Sequence, residues 1–251
     1  MLATETWRLS VEPHGRSGAD NMAEDEALLL DADRTGRAFL RLYRWTPACL
    51  SLGRNEPALS RYDRVAIARL GIDVVRRPTG GRAVWHEHEV TYAVAAPITL
   101  FGSLRESHRL IHERIVQALR TLGVPAAVAP DRLPVRLSDG PAPCFAAPVG
   151  GEVLVNGKKV VGSAQVRLGR AFLQHGSILL AGSQDLVAAV SYQPSAVSGS
   201  TTLSEILGRR VTFSEVVDAV VRAWAAPGWI RCDPPRPTST VFTRPSWTWR
   251  R

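Results

Sequence analysis

Only three of the 251 residues are cysteine: Cys49, Cys144 and Cys232. An odd number leaves one thiol over in any disulfide scheme, and their spacing matches no metal-ligand pattern. The chain therefore suits a reducing compartment, with at most one chemically special thiol. No apolar run approaches the roughly 20 residues that span a bilayer, and the N-terminus lacks the charged-then-apolar order of a secretory signal. No membrane association and a cytoplasmic location are the expectations. There is no internal repeat, no lysine run with interleaved aromatics and no RNA-binding signature, so nucleic acid is not expected as a partner.

What is present is positive charge. The formal net charge is +8 and the pI near 10.2, which favours acidic partners. The charge is uneven: residues 1–35 are acid-rich, whereas 36–82 hold ten Lys/Arg against three Asp/Glu. The length suits one domain with at most a small appendage.

Periodicity and turn residues predict an edge strand over Trp7–Pro13, a helix over Asp20–Leu30, and strands over Phe39–Trp45 and Cys49–Arg54. A short helix over Tyr62–Leu70 should close at Gly71, followed by strands over 72–77, 83–86 and 90–96. Ser103 and Glu106 form the capping signature of the strongest helix, whose stripe of Leu104, Ile111, Ile115, Leu119 and Leu122 ends at Gly123. Residues 129–143 read as a long loop. A meander over 151–156, 158–168 and 171–180 follows, with Asn156-Gly157 as a hairpin turn. Thr202/Glu205 and Thr212/Glu215 start two further helices, and a Pro- and Trp-rich tail closes the chain. Strand runs broken by isolated helices give an α+β domain: a mixed, mostly antiparallel sheet flanked by helices.

The most informative stretch is Arg76-Arg77-Pro78-Thr79-Gly80-Gly81-Arg82-Ala83-Val84-Trp85-His86. Adjacent glycines let backbone approach a ligand closely, and arginines offer forked donors to carboxylate, phosphate or carbonyl oxygens. A hairpin turn on a basic surface fits the same residues. Cys144 ends the Pro-rich loop, a position compatible with a nucleophile or with an inert buried thiol. Activation would need a cation or base beside it, for which Lys159 and His175 are the candidates. In Lys158-Lys159-Val160-Val161-Gly162-Ser163-Ala164-Gln165, alternation turns one lysine inward and lets small residues line a pocket. His175 and Ser177 share a strand face, but no aspartate is seen to orient the histidine, so a serine-hydrolase triad is not expected. His86 and His88 would share a face without a third ligand, so no metal is expected. His108 and His112 read as a solvated helix face.

Taken in order, RRPTGGRAVWHEHEVTYAV, CFAAP, NGKKVVGSAQ and QHGSILL resemble the biotin/lipoate protein ligase superfamily. The likeness is strongest to its LipM-type octanoyl-acyl-carrier-protein:protein N-octanoyltransferases. It covers roughly residues 5–225, giving a catalytic domain over 1–225 and a tail over 226–251. It implies a fold akin to the class II synthetase core, with Cys144 as the acyl-carrying nucleophile. Lys159 would lower the thiol pKa and handle protons. Arg76, Arg77, Thr79, Gly80, Gly81 and His86 would form the acyl-binding loop, with Gly162, Ser163, Ala164, His175 and Gly176 beside it. The implied donor is octanoyl-acyl carrier protein, whose octanoyl-phosphopantetheine is substrate, so no resident cofactor is expected. The implied acceptor is a lysine of a lipoyl-acceptor protein, such as glycine cleavage H protein or a dehydrogenase E2 lipoyl domain. An ATP-dependent lipoate–protein ligase and an octanoyl or lipoyl amidotransferase are the alternatives that share these motifs. Glu87 departs from the aspartate common after the family's histidine.

Overall fold

Strand β6 is nine residues long and wholly buried, which a strand achieves only when both of its faces and both of its edges are covered. It lies near the middle of an eight-stranded sheet. The computed structural model describes residues 6–130, 151–193, 199–224 and 228–250. In chain order the elements are β1 (Trp7–Val11), α1 (Gly18–Thr35), β2 (Ala38–Tyr43), β3 (Cys49–Leu52), α2 (Ala58–Arg61), α3 (Arg64–Arg69), β4 (Asp73–Arg76), β5 (Val84–His86) and β6 (Glu89–Pro97). They continue with α4 (Leu104–Thr121), β7 (Ala127–Val128), β8 (Val153–Val155), β9 (Lys158–Leu168), β10 (Ala171–Leu179), α5 (Asp185–Ala189), α6 (Leu203–Leu207), α7 (Phe213–Trp224), β11 (Trp229–Arg231) and α8 (Pro245–Thr248).

The large sheet runs β11-β1-β2-β6-β10-β9-β8-β7, and β4-β3-β5 form a second, three-stranded sheet. Parallel pairs occur at β1–β11, β1–β2 and β3–β4, and the other pairs are antiparallel. The expected α+β domain with a mixed, mostly antiparallel sheet is therefore observed, divided into two sheets. The amphipathic α4 and α7 cover one face of the large sheet, burying Ile111, Ile115, Leu119, Val216 and Val220 against Tyr92, Val94 and Phe172. Helix α1 covers the other face with Met22, Leu28, Leu29 and Ala32. Among the described residues no helix is long and apolar enough to cross a membrane.

The tail overturns one expectation. Trp7–Val11 is not at the edge, because Trp229–Arg231 pairs alongside it. Aperiodic sequence hid this strand, since a three-residue strand is too short to show alternation. The chain then returns to α1, where Phe242 joins the core. The predicted Tyr62–Leu70 helix is also two pieces, α2 and α3, with Asp63 capping the second through the backbone N–H groups of Val65 and Ala66. The expected loop after Pro130 lies outside the described residues.

Candidate active site

Arg77 ends β4's extension and folds its guanidinium back under the glycine-rich loop. It donates to the carbonyls of Gly80 at 3.0 Å and Arg82 at 2.9 Å, and to the carbonyl and hydroxyl of Ser51 at 2.8 and 2.7 Å. The guanidinium thus shapes the loop from beneath. Gly81 takes φ +92°, open to glycine and few others, and its carbonyl passes so close to Gly53 that a Cβ there would sit 1.8 Å away.

Two buried carboxylate–imidazole–hydroxyl chains meet at this loop. In the first, His175 on β10 holds Asp25 of α1 on Nδ1 at 2.8 Å and Thr79 on Nε2 at 2.6 Å. An ionised carboxylate only accepts, so Nδ1 carries the hydrogen and Nε2 accepts from the Thr79 hydroxyl. Burial holds the His175 pKa below its ordinary value. Burial pushes the Asp25 carboxyl up, but the hydrogen bond from His175 and the Arg41 charge bring it below the usual range. In the second chain, His86 holds Glu89 on Nδ1 at 2.8 Å and Ser51 on Nε2 at 2.6 Å. The same Glu89 oxygen accepts from Ser177 at 2.7 Å and from Thr91. Trp45 stacks on His86 with ring centroids 4.0 Å apart and donates to Thr91 at 2.7 Å.

Between the chains lies a narrow cleft with a cavity volume of about 30 Å³. Its lining is largely apolar, from Met22, Tyr43, Trp45 and Val84, with Arg77, His86 and His175 among its polar members. Gly162, Ser163 and Ala164 of β9 and Gly176 of β10 form another wall. Gly176 is required there: a Cβ would lie 2.4 Å from the Ser163 hydroxyl and 2.5 Å from the Gly162 carbonyl. An apolar lining with a few polar groups at its rim suits an aliphatic chain with a polar head.

Several of the expected site residues are thereby brought together: Arg77, Thr79, Gly80, Gly81, His86, Gly162, Ser163, Ala164, His175 and Gly176. Arg76 is not among them. Alternation turns it the other way, where it donates to the carbonyls of Gly53 and Glu56 at 2.6 and 2.8 Å and of Trp247 and Thr248 at 2.9 Å each. Burial and the neighbouring Arg250 lower its pKa to about 10. Arg76 therefore binds the chain's own C-terminal segment instead of a substrate.

Lys159 is buried while Lys158 is exposed, as alternation requires. Its ammonium pairs with Glu152, and its backbone bonds Gly199 and Thr201. Cys144 lies outside the described residues. Cys49 is buried in β3, and burial together with Asp73 pushes its thiol well above the ordinary range, which makes it inert core.

Four readings change. An aspartate does orient His175: Asp25, far away in sequence, which occupies the apolar stripe of α1 with Met22, Leu28 and Leu29. An acid on a buried stripe was the available signal. His112 is not on a solvated face. It is buried, its Nδ1 is 2.5 Å from the Gly151 carbonyl and its Nε2 is 2.7 Å from the Ser163 hydroxyl. Burial, with the nearby His108, lowers its pKa to about 3. His86 and His88 do not share a face of one strand, because a bend at residues 87–88 leaves His88 exposed. Finally, Arg41, Arg76 and Arg77 of the basic 36–82 segment are buried, so its outward charge rests on residues such as Arg54, Arg64 and Arg69.

Residues 17–225 match the lipoyl protein ligase A/B catalytic domain. Among curated relatives, the octanoyltransferase LipM of Carboxydothermus hydrogenoformans is 44% identical over 180 residues, covering 70% of this chain and 65% of that protein. The octanoyltransferase LipM of Moorella thermoacetica is 38% identical over 239 residues, covering 89% of this chain and 86% of the relative. A bipartite lipoate protein ligase from Thermoplasma acidophilum, solved in a study with its E2 lipoyl domain, shares the fold. Its TM-score is 0.74 at 21% identity, over 98% of this chain and 96% of that one.

Proposed function

This chain belongs to the lipoyl protein ligase A/B catalytic-domain family and, within it, to the LipM octanoyltransferases; from that premise we propose that it moves an octanoyl group from octanoyl-acyl carrier protein to a lysine of a lipoyl-acceptor domain, through a thioester on Cys144. It is an acyltransferase. The observation that carries the reading is the apolar cleft between His86 and His175, walled by Arg77 and Val84 on either side of the glycine-rich loop and by Gly162–Ala164. The slot receives the aliphatic chain and leaves the thioester carbonyl at its polar rim.

In the first step the Cys144 thiolate attacks the donor's thioester carbon. The carbon–sulfur bond to phosphopantetheine breaks, and that thiol leaves with a proton. In the second step a neutral acceptor lysine attacks the acyl-enzyme, an amide forms, the Cys144 thiolate departs and the amine's proton passes to the Lys159–Glu152 pair. Each step builds an oxyanion, for which β9 backbone N–H groups between Gly162 and Ala164 are the proposed donors. Lys159 and Glu152 form a buried ammonium–carboxylate pair, suited to hold a thiolate and pass protons. Octanoyl-phosphopantetheine enters as substrate, and the reaction needs no resident cofactor. Acyl carrier and lipoyl domains are acidic, and the outward Arg54, Arg64 and Arg69 suit them. The proposed setting is the cytoplasm.

The test is transfer without ATP. Octanoyl carrier protein, an unmodified lipoyl domain and the enzyme are mixed, and the acceptor's intact mass is read. The reading expects one octanoyl added to one lysine. No transfer until ATP and free octanoate are supplied would replace it with the ligase mechanism.

A further inference from the structure

At the end of the large sheet where β2 and β10 finish and β6 begins, a second cavity opens, a groove on the α7 side. It is lined by Arg44, Arg210, Ser204, Thr212, Ser214 and the ring of Phe213. Arg44 lies over that ring at 5.4 Å. Among the described residues neither Arg44 nor Arg210 has a carboxylate within ion-pair distance, although the nearby Arg209 pairs with Glu215 at 2.8 Å. Glu215 also caps Thr212 through its backbone N–H at 2.7 Å. The groove thus gathers two guanidinium groups without a carboxylate partner and three hydroxyls, beside a first turn of α7 that Glu215 already caps. The two guanidinium groups only donate, while the hydroxyls can donate or accept and that of Thr212 already donates to Glu215 at 2.8 Å. The groove suits a group that only accepts, through several oxygens, and carries a full negative charge.

Its position bears on the ligand. Three chain segments run from the cleft into the groove: Tyr43 to Arg44, His86 to His88, and Ser177 to Leu180. The last step is three residues, about 10 Å at strand spacing, and its odd offset turns from the α1 face to the α7 face, so an arm joining the two sites rounds the end of the sheet. Backbone bonds fix the junction, with the Leu180 N–H donating to His88 at 2.9 Å and the Ser204 N–H donating to Leu180 at 3.0 Å. An extended phosphopantetheine arm is longer than that span.

We propose that this groove binds the phosphate of the donor's phosphopantetheine arm, so that Arg44 and Arg210 select the donor by its phosphate while the cleft takes the acyl chain. The inference rests on the octanoyl-transfer reading but fails separately from it.

Two measurements test it. Calorimetry compares 4′-phosphopantetheine with pantetheine, neither acylated, on the wild type and on an Arg44→Gln/Arg210→Gln variant. Charged hydrogen bonds of this kind correspond to about tenfold or more in affinity. The phosphorylated arm should bind at least that much more tightly than pantetheine, and the double variant should erase the difference. Octanoyl thioesters of the same two arms then serve as donors. The phosphorylated one should show the lower KM in the wild type, and the two should show equal KM in the variant. Equal binding of both arms to the wild type, a phosphate preference that survives in the variant, or inorganic phosphate binding as tightly as the arm would overturn the proposal. Phosphate-dependent binding without acyl transfer from octanoyl carrier protein would sustain the groove and overturn the transfer reading instead.

Discussion

Asp25 and His175 are 150 positions apart, yet their side chains meet at 2.8 Å in the core and fix which imidazole nitrogen faces the glycine-rich loop. Thr79 hangs from the other nitrogen. His175→Ala should therefore release the loop. Octanoyl transfer should fall more than tenfold in kcat/KM, about the worth of one buried hydrogen-bonded link. Thr79→Val, which removes the same hydroxyl from the loop side, should act on kcat/KM in the same direction. If Thr79→Val left kcat/KM unchanged, this chain would not position the loop.

His112 makes acid stability specific. Its pKa is about 3 in the folded protein against an ordinary value of 6.5, so between these values the unfolded chain takes a proton that the folded one refuses. The stability owed to neutral His112 is complete above about pH 6.5 and is lost as pH falls through that window, at up to about 1.4 kcal/mol per pH unit. His112→Gln should flatten the acid limb of a plot of unfolding free energy against pH. An unchanged slope would mean that His112 is protonated in the fold.

The β-rich core, the large capped helices and the glycine-rich loop were legible because each is written locally, in periodicity, capping pairs and adjacent glycines. The site was legible only in part. Gly80, Gly81, Gly162, Ser163 and Ala164 announce close packing by their small size. Asp25, Ser51 and Glu89 come from three separate segments, and only the tertiary fold gives them a common role. Arg76 and Arg77 show the limit of a motif: adjacent in sequence, they point to opposite sides, one beneath the loop and one to the tail.

Backbone contact at the loop leads to a contrast between two glycines. Gly53→Ala would drive a Cβ into the Gly81 carbonyl, whereas a Cβ at Gly80 meets nothing within 4 Å. Overpacking of this kind costs about 1–3 kcal/mol, while Gly80→Ala should stay within about 0.5 kcal/mol. Denaturant midpoints compare the two directly. Equal midpoints would show that the loop yields freely.

The tail should matter to stability through Arg76. A chain ending at Thr240 loses the carbonyls of Trp247 and Thr248, leaving the buried guanidinium under-satisfied. Stranding a buried charge costs about 3 kcal/mol or more. Arg76→Met should recover part of that loss in the shortened chain and destabilise the full one. If it destabilised both equally, the tail would not be held through this residue.

The central claim is an acyl-enzyme on Cys144, and intact mass reads it most directly. The enzyme is incubated with octanoyl carrier protein in the absence of ATP and acceptor. The wild type should gain one octanoyl mass that hydroxylamine removes, whereas Cys144→Ala should gain none and transfer nothing when acceptor is added. An equal adduct on Cys144→Ala, with transfer intact, would contradict the account.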